Sequence, residues 1–433
     1  MSLPVLSIVA FAVAIIVSCV SQINVGFLSI AFAFLIGVVG GGMRVSEVAA
    51  GFPTGLFVTL TAVTLFFSQA NVNGTLHKVA RSSVKLARGN IGVIPVIFFF
   101  LAAGLASIGA GNIATTALLA PVAMLVAGNM GISAFLMTLC VCCGANSGAL
   151  SPVAPTGVIA NQLLARIGIV GQGWSTFINN FIAEGFVGLS GYFLLGGYKL
   201  FSRSASRQSV KMDDAMIGDE GPFTWNQKLT LVLMAALLLS VSVLGNARLK
   251  ASFGFTFDFD VSMAAIIAAS IMTLARAADE EAAVKSMPWN VIVMVCGVTV
   301  LISILEKKGG MDLFTSMLAR FSTQTSVTGV MGFVTGLISV YSSSSGVVLP
   351  AFLPTIPGLI QKIGGGDAMA IANSVNVGAH LVDVSPLSTL GALCIANAAL
   401  SEDRKALFNK LMIWGLSMSV IGALVCWVFF GLL

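Results

Sequence analysis

Residues 340–350 read VYSSSSGVVLP. Four consecutive serines, Ser342 to Ser345, stand with Gly346 between two stretches apolar enough to lie in lipid. A Ser-Gly run continues a helix poorly, and hydroxyls in hydrocarbon need partners. The run therefore predicts a point where one half-helix ends and another begins inside an apolar region. Residues 107–122, SIGAGNIATTALLAPV, form a similar interruption. Gly109 and Gly111 free the backbone there, and Asn112, Thr115 and Thr116 offer polar atoms. Asn112 aligns with Ser345, and Pro121 with Pro354, at an offset of 233. Farther along each half lies a second break, GANSGALSPVAPTG at 144–157 and NVGAHLVDVSPLSTLG at 376–391. Ser151-Pro152 aligns with Ser385-Pro386 at an offset of 234.

The surroundings of these breaks are those of a membrane protein. Of 433 residues, 57% are hydrophobic and 9% charged, with mean hydropathy +1.00; soluble chains carry roughly 25% charged residues. Many windows long enough to form a spanning helix lack any charge. The opening segment has no basic leader and reads as a helix, not a cleaved signal peptide. The fold class expected is an all-α polytopic membrane protein with two inverted repeats of five transmembrane helices. Each repeat carries a re-entrant hairpin and a broken helix. The first repeat is 1–198, with spans at 3–20, 24–42 and 53–71, a hairpin at 91–131, a broken helix at 132–166 and a closing span at 175–198. A cytoplasmic linker occupies 199–228. The second repeat is 229–433, with spans at 229–246, 260–275 and 289–305, a hairpin at 325–364, a broken helix at 366–399 and a last span at 411–433. Between spans, Lys78, Arg81, Lys85 and Arg88 share one face of TLHKVARSSVKLARG, which reads as a basic amphipathic helix on a membrane surface or an ordinary cytoplasmic loop.

If both hairpins enter and leave on one side, each half makes five crossings and the second half is inverted. Fourteen of the 22 Lys and Arg residues then fall on one face, which the positive-inside rule makes cytoplasmic. Both termini are periplasmic or extracellular in that arrangement, in the inner membrane of a bacterium. Hairpins that crossed fully would give six crossings and parallel repeats. The net charge of +5 fits cytoplasmic loops, and no nucleic-acid partner is expected. The seven cysteines lie in apolar stretches and read as packing residues. With two histidines in the chain, no transition-metal site is expected.

A helix beginning at a tip presents unpaired N–H groups and a partial positive charge, which suits a carboxylate. A helix ending there presents carbonyls, which suit Na⁺. In the broken segments the same parts come from Asn146, Ser147, Ser151, Pro152, Pro155 and Thr156, and from Asn376, His380, Asp383, Ser385, Pro386, Ser388 and Thr389. Proline frees a carbonyl by removing a backbone hydrogen bond. Any one serine or threonine could instead bond a carbonyl one turn back. Intramembrane carboxylates are functional candidates by default. Asp383 could ligate a cation, accept a proton or anchor the broken backbone, and Glu184 could face the interface. No deep arginine is available to clamp an anion.

NVGFLSIAFAFLIGVVGGGMRVSEVAAGFPTGLFVTLTAVTLFF, GNIATTALLAPV, NSGALSPVAPTGVIAN and HLVDVSPLSTLGALCIAN carry a resemblance over nearly the whole chain. The sequence resembles the ion transporter superfamily, specifically the divalent anion:sodium symporters and MatC-type malonate or dicarboxylate carriers. It departs from the symporters' Ser-Asn-Thr tip motif, with Gly111 and Ile113 flanking Asn112 and Ser344-Ser345-Gly346 at the second tip. The resemblance implies a Na⁺-coupled carrier of small dicarboxylates such as malonate or succinate, a homodimer working by an elevator cycle, without cofactor and not an enzyme; H⁺ coupling is the alternative. It implies that Asn112, Thr115, Thr156, Ser344, Ser345 and Thr389 bind substrate. Gly111, Asn112, Ser151, Pro152, Ser345, Ser385 and Pro386 would bind Na⁺, joined by Ser343 and Asp383 from the tip and break. The competing readings are the large membrane subunit of a tripartite periplasmic carrier, a passive anion channel, and an intramembrane serine hydrolase pairing one of Ser342–Ser345 with His380.

Overall fold

A computed structural model describes all residues except 1, 21–22, 85–89, 205–220, 245–251, 253–258, 400–401 and 433. Lys85 and Arg88 of the basic helix, the side chain of Arg81, and most of the linker lie outside the described residues.

The first half runs α1 (Leu3–Val20), α2 (Val25–Gly40), α3 (Val45–Ala49), α4 (Thr54–Val72), α5 (Thr75–Val84), α6 (Val93–Leu105), α7 (Gly111–Met130), α8 (Ala134–Ala149), α9 (Pro155–Arg166) and α10 (Gly173–Tyr192). After α11 (Tyr198–Ser204), the second half runs α12 (Trp225–Leu244), α13 (Val261–Leu274), α14 (Glu280–Ser286), α15 (Trp289–Lys307), α16 (Gly310–Arg320), α17 (Val327–Ser339), α18 (Ser344–Ile363), α19 (Ala368–Leu381), α20 (Thr389–Ala396) and α21 (Arg404–Leu432). Among the described residues there is no strand, and six helical stretches are long and apolar enough to cross a membrane. The chain is an integral membrane protein. The short helices α3 and α14, which hydropathy did not predict, occupy matching places in the two halves.

Side-chain oxygens start several helices by accepting a first-turn N–H: Asn24 for α2, Asp260 for α13, Asp367 for α19 and Asp403 for α21. Gly131 and Gly364 end α7 and α18 in the left-handed conformation.

At the centre is α8, buried from Leu136 to Ala149. Its Gly144 and Gly148, one turn apart, let the α6 backbone approach closely. A methyl group on Gly144 would overlap the Phe99 carbonyl oxygen, and one on Gly148 would lie 2.5 Å from that of Ala103. Small residues at this spacing are how membrane helices pack tightly. The pairs 99–144 and 103–148 rise together, so α6 and α8 run in the same direction. Because α7 joins α8 through a tight turn, the chain reverses between α6 and α7. The same contact recurs between α17 and α19, where a methyl on Gly378 would lie 2.5 Å from the Gly332 carbonyl oxygen. Gly332 is the counterpart of Phe99 at an offset of 233, and Gly378 that of Gly144 at an offset of 234.

The halves interlock through their outer helices. Gly26 of α2 and Gly297 of α15 cross almost backbone to backbone, and Gln69 of α4 donates to the Ala269 carbonyl and Thr273 hydroxyl of α13. Gly92 abuts Phe201 and accepts from Tyr192, and Gly128 abuts Ala399. At the other end, Gln324 donates to the Gly364 carbonyl and Trp427 to that of Thr325.

Candidate functional site

The α6–α7 reversal is built on two glycines. Gly109 has φ +120° and Gly111 φ +74°, values that side-chain-bearing residues rarely adopt. A methyl on Gly109 would also overlap the Phe67 ring of α4. Gly109→Ala should therefore displace the tip, at a backbone cost of roughly 1–3 kcal/mol before the clash is counted. The expected result is a lower thermal midpoint and loss of activity, read by thermal unfolding of purified protein. An unchanged midpoint would mean the tip is not held as described.

Asn112 follows in the first turn of α7. Its Oδ1 accepts from Ile113 N at 3.0 Å, and its Nδ2 donates to Asn146 Oδ1 at 2.9 Å. Asn146, wholly buried in α8, donates in turn to the His380 carbonyl at 3.0 Å. A line of amides thus joins the first tip to both broken helices.

The second tip follows α17. Ser343 starts α18 by accepting from Gly346 N at 3.0 Å. Ser344 donates to the Asp383 carboxylate, and Ser339 reaches its other oxygen at 3.4 Å. Ser388 donates to the Asp383 carbonyl, and Ser385 to that of Val340 at 3.1 Å. Of the three roles open to Asp383, these bonds display the anchoring one.

Both tips meet in one place. A cavity of about 200 Å³ is lined by Asn112, Ser342–Ser345, Asp383, Ser388 and Thr389. A larger cavity of about 430 Å³, bordered by Thr64, Phe67, Ser68, Gly111 and Thr156, shares Asn112, Ile113 and Ser345 with it. The smaller is the candidate site and the larger its vestibule. The first turns of α7 and α18 stand at the site, Asp383 brings a carboxyl group, and among the described residues no Lys or Arg lines either cavity. A chamber of about 290 Å³ contains Thr299, Ser303 and Glu306. These align with Thr64, Ser68 and Asn71 at an offset of 235. The chamber is bounded by Pro350 and Pro354 and reaches neither tip.

Gly111, Asn112, Thr156, Ser343, Ser344, Ser345, Asp383 and Thr389 thus line two adjoining cavities. Ser151, Pro152, Ser385 and Pro386 lie in the helix breaks and line neither cavity, and Thr115, fully buried, also lines neither. His380 makes no hydrogen bond to any of the four serines. Its Nδ1 is 2.7 Å from the Asn376 carbonyl and its Nε2 has no hydrogen-bond partner, so the Ser–His contact a serine hydrolase needs is not formed. Sequence reasoning missed the contributions of α4 and α15: Thr64, Phe67, Ser68 and, beside the second tip, Met294. The available signal was Thr64 and Ser68, polar and one turn apart, but α4 also carries Thr59, Thr61, Gln69 and Asn71, so nothing singled the pair out.

Residues 1–149 match the family described as "Dicarboxylate carrier protein MatC N-terminus". Among solved structures, the chain is similar to the YdaH transporter of Alcanivorax borkumensis at 17% identity, covering 89% of this chain and 87% of that one, with a TM-score of 0.57. It is also similar to MtrF of Neisseria gonorrhoeae, from a class of antimetabolite efflux pumps, at 12% identity, covering 100% and 96%, with a TM-score of 0.59. No curated protein matches the chain. The fold is therefore one found in membrane transporters, and the N-terminal third of the chain carries the MatC signature.

Proposed function

We propose that this protein is a secondary active transporter of small dicarboxylates, driven by Na⁺ and working by alternating access. The observation that carries the reading is the convergence of two helix N-termini and Asp383 on one cavity that adjoins one vestibule, while the matching chamber shares no residue with it. Paired N-termini suit the two carboxylates of a short diacid without an arginine clamp. About 200 Å³ is below the roughly 300–1,000 Å³ of sites for drug-sized ligands, which suits malonate or succinate. The MatC family description of residues 1–149 points to the same substrate class.

Asn112, Ser344, Ser345, Thr156 and Thr389 hold substrate in this reading, with Thr115 supporting α7 from behind. Gly111, Ser343, Ser345 and Asp383 offer oxygens to Na⁺, with the carbonyls freed around Ser151-Pro152 and Ser385-Pro386. The two hairpins enter from opposite faces, as an inverted repeat requires; support comes from the contacts of Gly92 and Gly128 at one end and of Gln324 and Thr325 at the other. The vestibule lies beside α5 and faces the cytoplasm if that basic segment does, which puts both termini outside a bacterial inner membrane. The resemblance adds a homodimer and an elevator motion. Uptake of labelled malonate and succinate into proteoliposomes tests the function. Accumulation that requires an inward Na⁺ gradient is the expected result. Uncoupled flux would indicate a channel, and no uptake of either acid by the protein alone would remove the solo Na⁺-coupled carrier.

A further inference from the structure

The interior holds a second cluster of polar groups behind the first tip, on the far side of Asn146, where α8, α10 and α19 meet. Asn146 stands at the junction: Asn180 of α10 donates to its carbonyl at 2.8 Å, and its own amide donates to the His380 carbonyl. Ala183 and Val187 of α10 pack in one apolar cluster with Val377 and Leu381 of α19. Glu184, one turn beyond Asn180, is wholly buried and lies against the Cys143 thiol of α8. Neither of its carboxylate oxygens has a hydrogen-bond partner; nor do Asn180 Oδ1, His380 Nε2 or either amide atom of Asn376. All four residues are at most 1% exposed.

The inventory is unbalanced. A carbonyl only accepts, so the His380 Nδ1 beside the Asn376 carbonyl carries the hydrogen and the neutral ring's Nε2 is an acceptor. Glu184, Asn180 and His380 then present four acceptor atoms, against the Asn376 amide and the Cys143 thiol as donors. The titratable groups acting on Glu184 are Cys143 from α8 and Asp383 from the segment after α19, with His380 also on α19. None supplies a positive charge. A buried carboxylate without a counter-charge is strongly unfavourable.

We propose that this junction binds one positive charge, a proton or a sodium ion, at Glu184, separately from the tip site. The occupant completes the acceptor set and ties α10 to both broken helices. The test uses purified full-length protein, compared with Glu184→Gln. A proton gives the infrared carbonyl band of a protonated carboxyl in the parent, lost in Glu184→Gln. Sodium gives bound ²²Na⁺ that falls by one ion per chain in Glu184→Gln, with the same drop when Glu184→Gln is added to Asp383→Asn. If Glu184→Gln does not fold, Glu184→Asp serves: the band shifts in frequency, or the sodium affinity changes. A variant matching the parent in both signals overturns the proposal. Neither signal depends on uptake, so a failure of dicarboxylate transport and a failure of this site are separable.

Discussion

Uptake should fall by about 100-fold or more when Asn112 is replaced with alanine, while the protein still folds. The substitution removes the donor to Asn146 Oδ1 and the acceptor for Ile113 N. Leaving a buried polar atom unpaired costs about 1–3 kcal/mol, and about 1.4 kcal/mol corresponds to tenfold. Two such groups at the start of α7 therefore account for a loss of that size in a conformation that must form for binding. Most of the fold does not depend on this pair: the α6–α8 contact rests on Gly144 and Gly148, and the α2–α15 crossing on Gly26 and Gly297. The measurement is initial uptake rate per unit of monodisperse protein. Asn112→Ser, which keeps a shorter donor, recovers part of the rate. Full activity in Asn112→Ala would remove Asn112 from the site.

Both tips were legible because their chemistry is local. Gly109 and Gly111 announce a backbone that must turn, and four serines in an apolar run announce a helix that stops. Asp383 was legible as a rare deep charge. The walls of the site were not. Phe67 and Met294 are apolar residues in a chain that is 57% apolar, and nothing local separates a lining residue from a lipid-facing one. Thr115 shows the limit of reading by residue type. It lies within one helical turn of Asn112, yet the vestibule takes the stripe of Ile113, Ala114, Ala117 and Leu118. The junction at Asn146 was hidden for a different reason. Asn146 and His380 are repeat-matched at an offset of 234, and only folding shows that they touch. The Asn146 amide that accepts from Asn112 also donates to the His380 carbonyl, so the first tip is tied to the second broken helix through one side chain.

Asp383→Asn should separate anchoring from charge. Asparagine keeps one acceptor oxygen, for the Ser344 hydroxyl, and turns an NH2 donor toward the Ser339 hydroxyl, which can accept; the Ser388 bond to the residue 383 carbonyl is untouched. A residue that only anchors the tip would tolerate this change within a few-fold. A residue whose charge balances Na⁺ beside the substrate would not, because a neutral amide binds a cation far less strongly than a carboxylate. The expected result is a folded protein in which Na⁺-driven accumulation drops about 100-fold and the Na⁺ concentration for half-maximal uptake rises. Asp383→Ala should lose the tip bonds as well, and so show a lower thermal midpoint than Asp383→Asn. Normal Na⁺ dependence in Asp383→Asn, with a defect confined to Asp383→Ala, would reduce Asp383 to an anchor. The coupling ion would then rest on Ser343, Ser345 and the freed carbonyls alone.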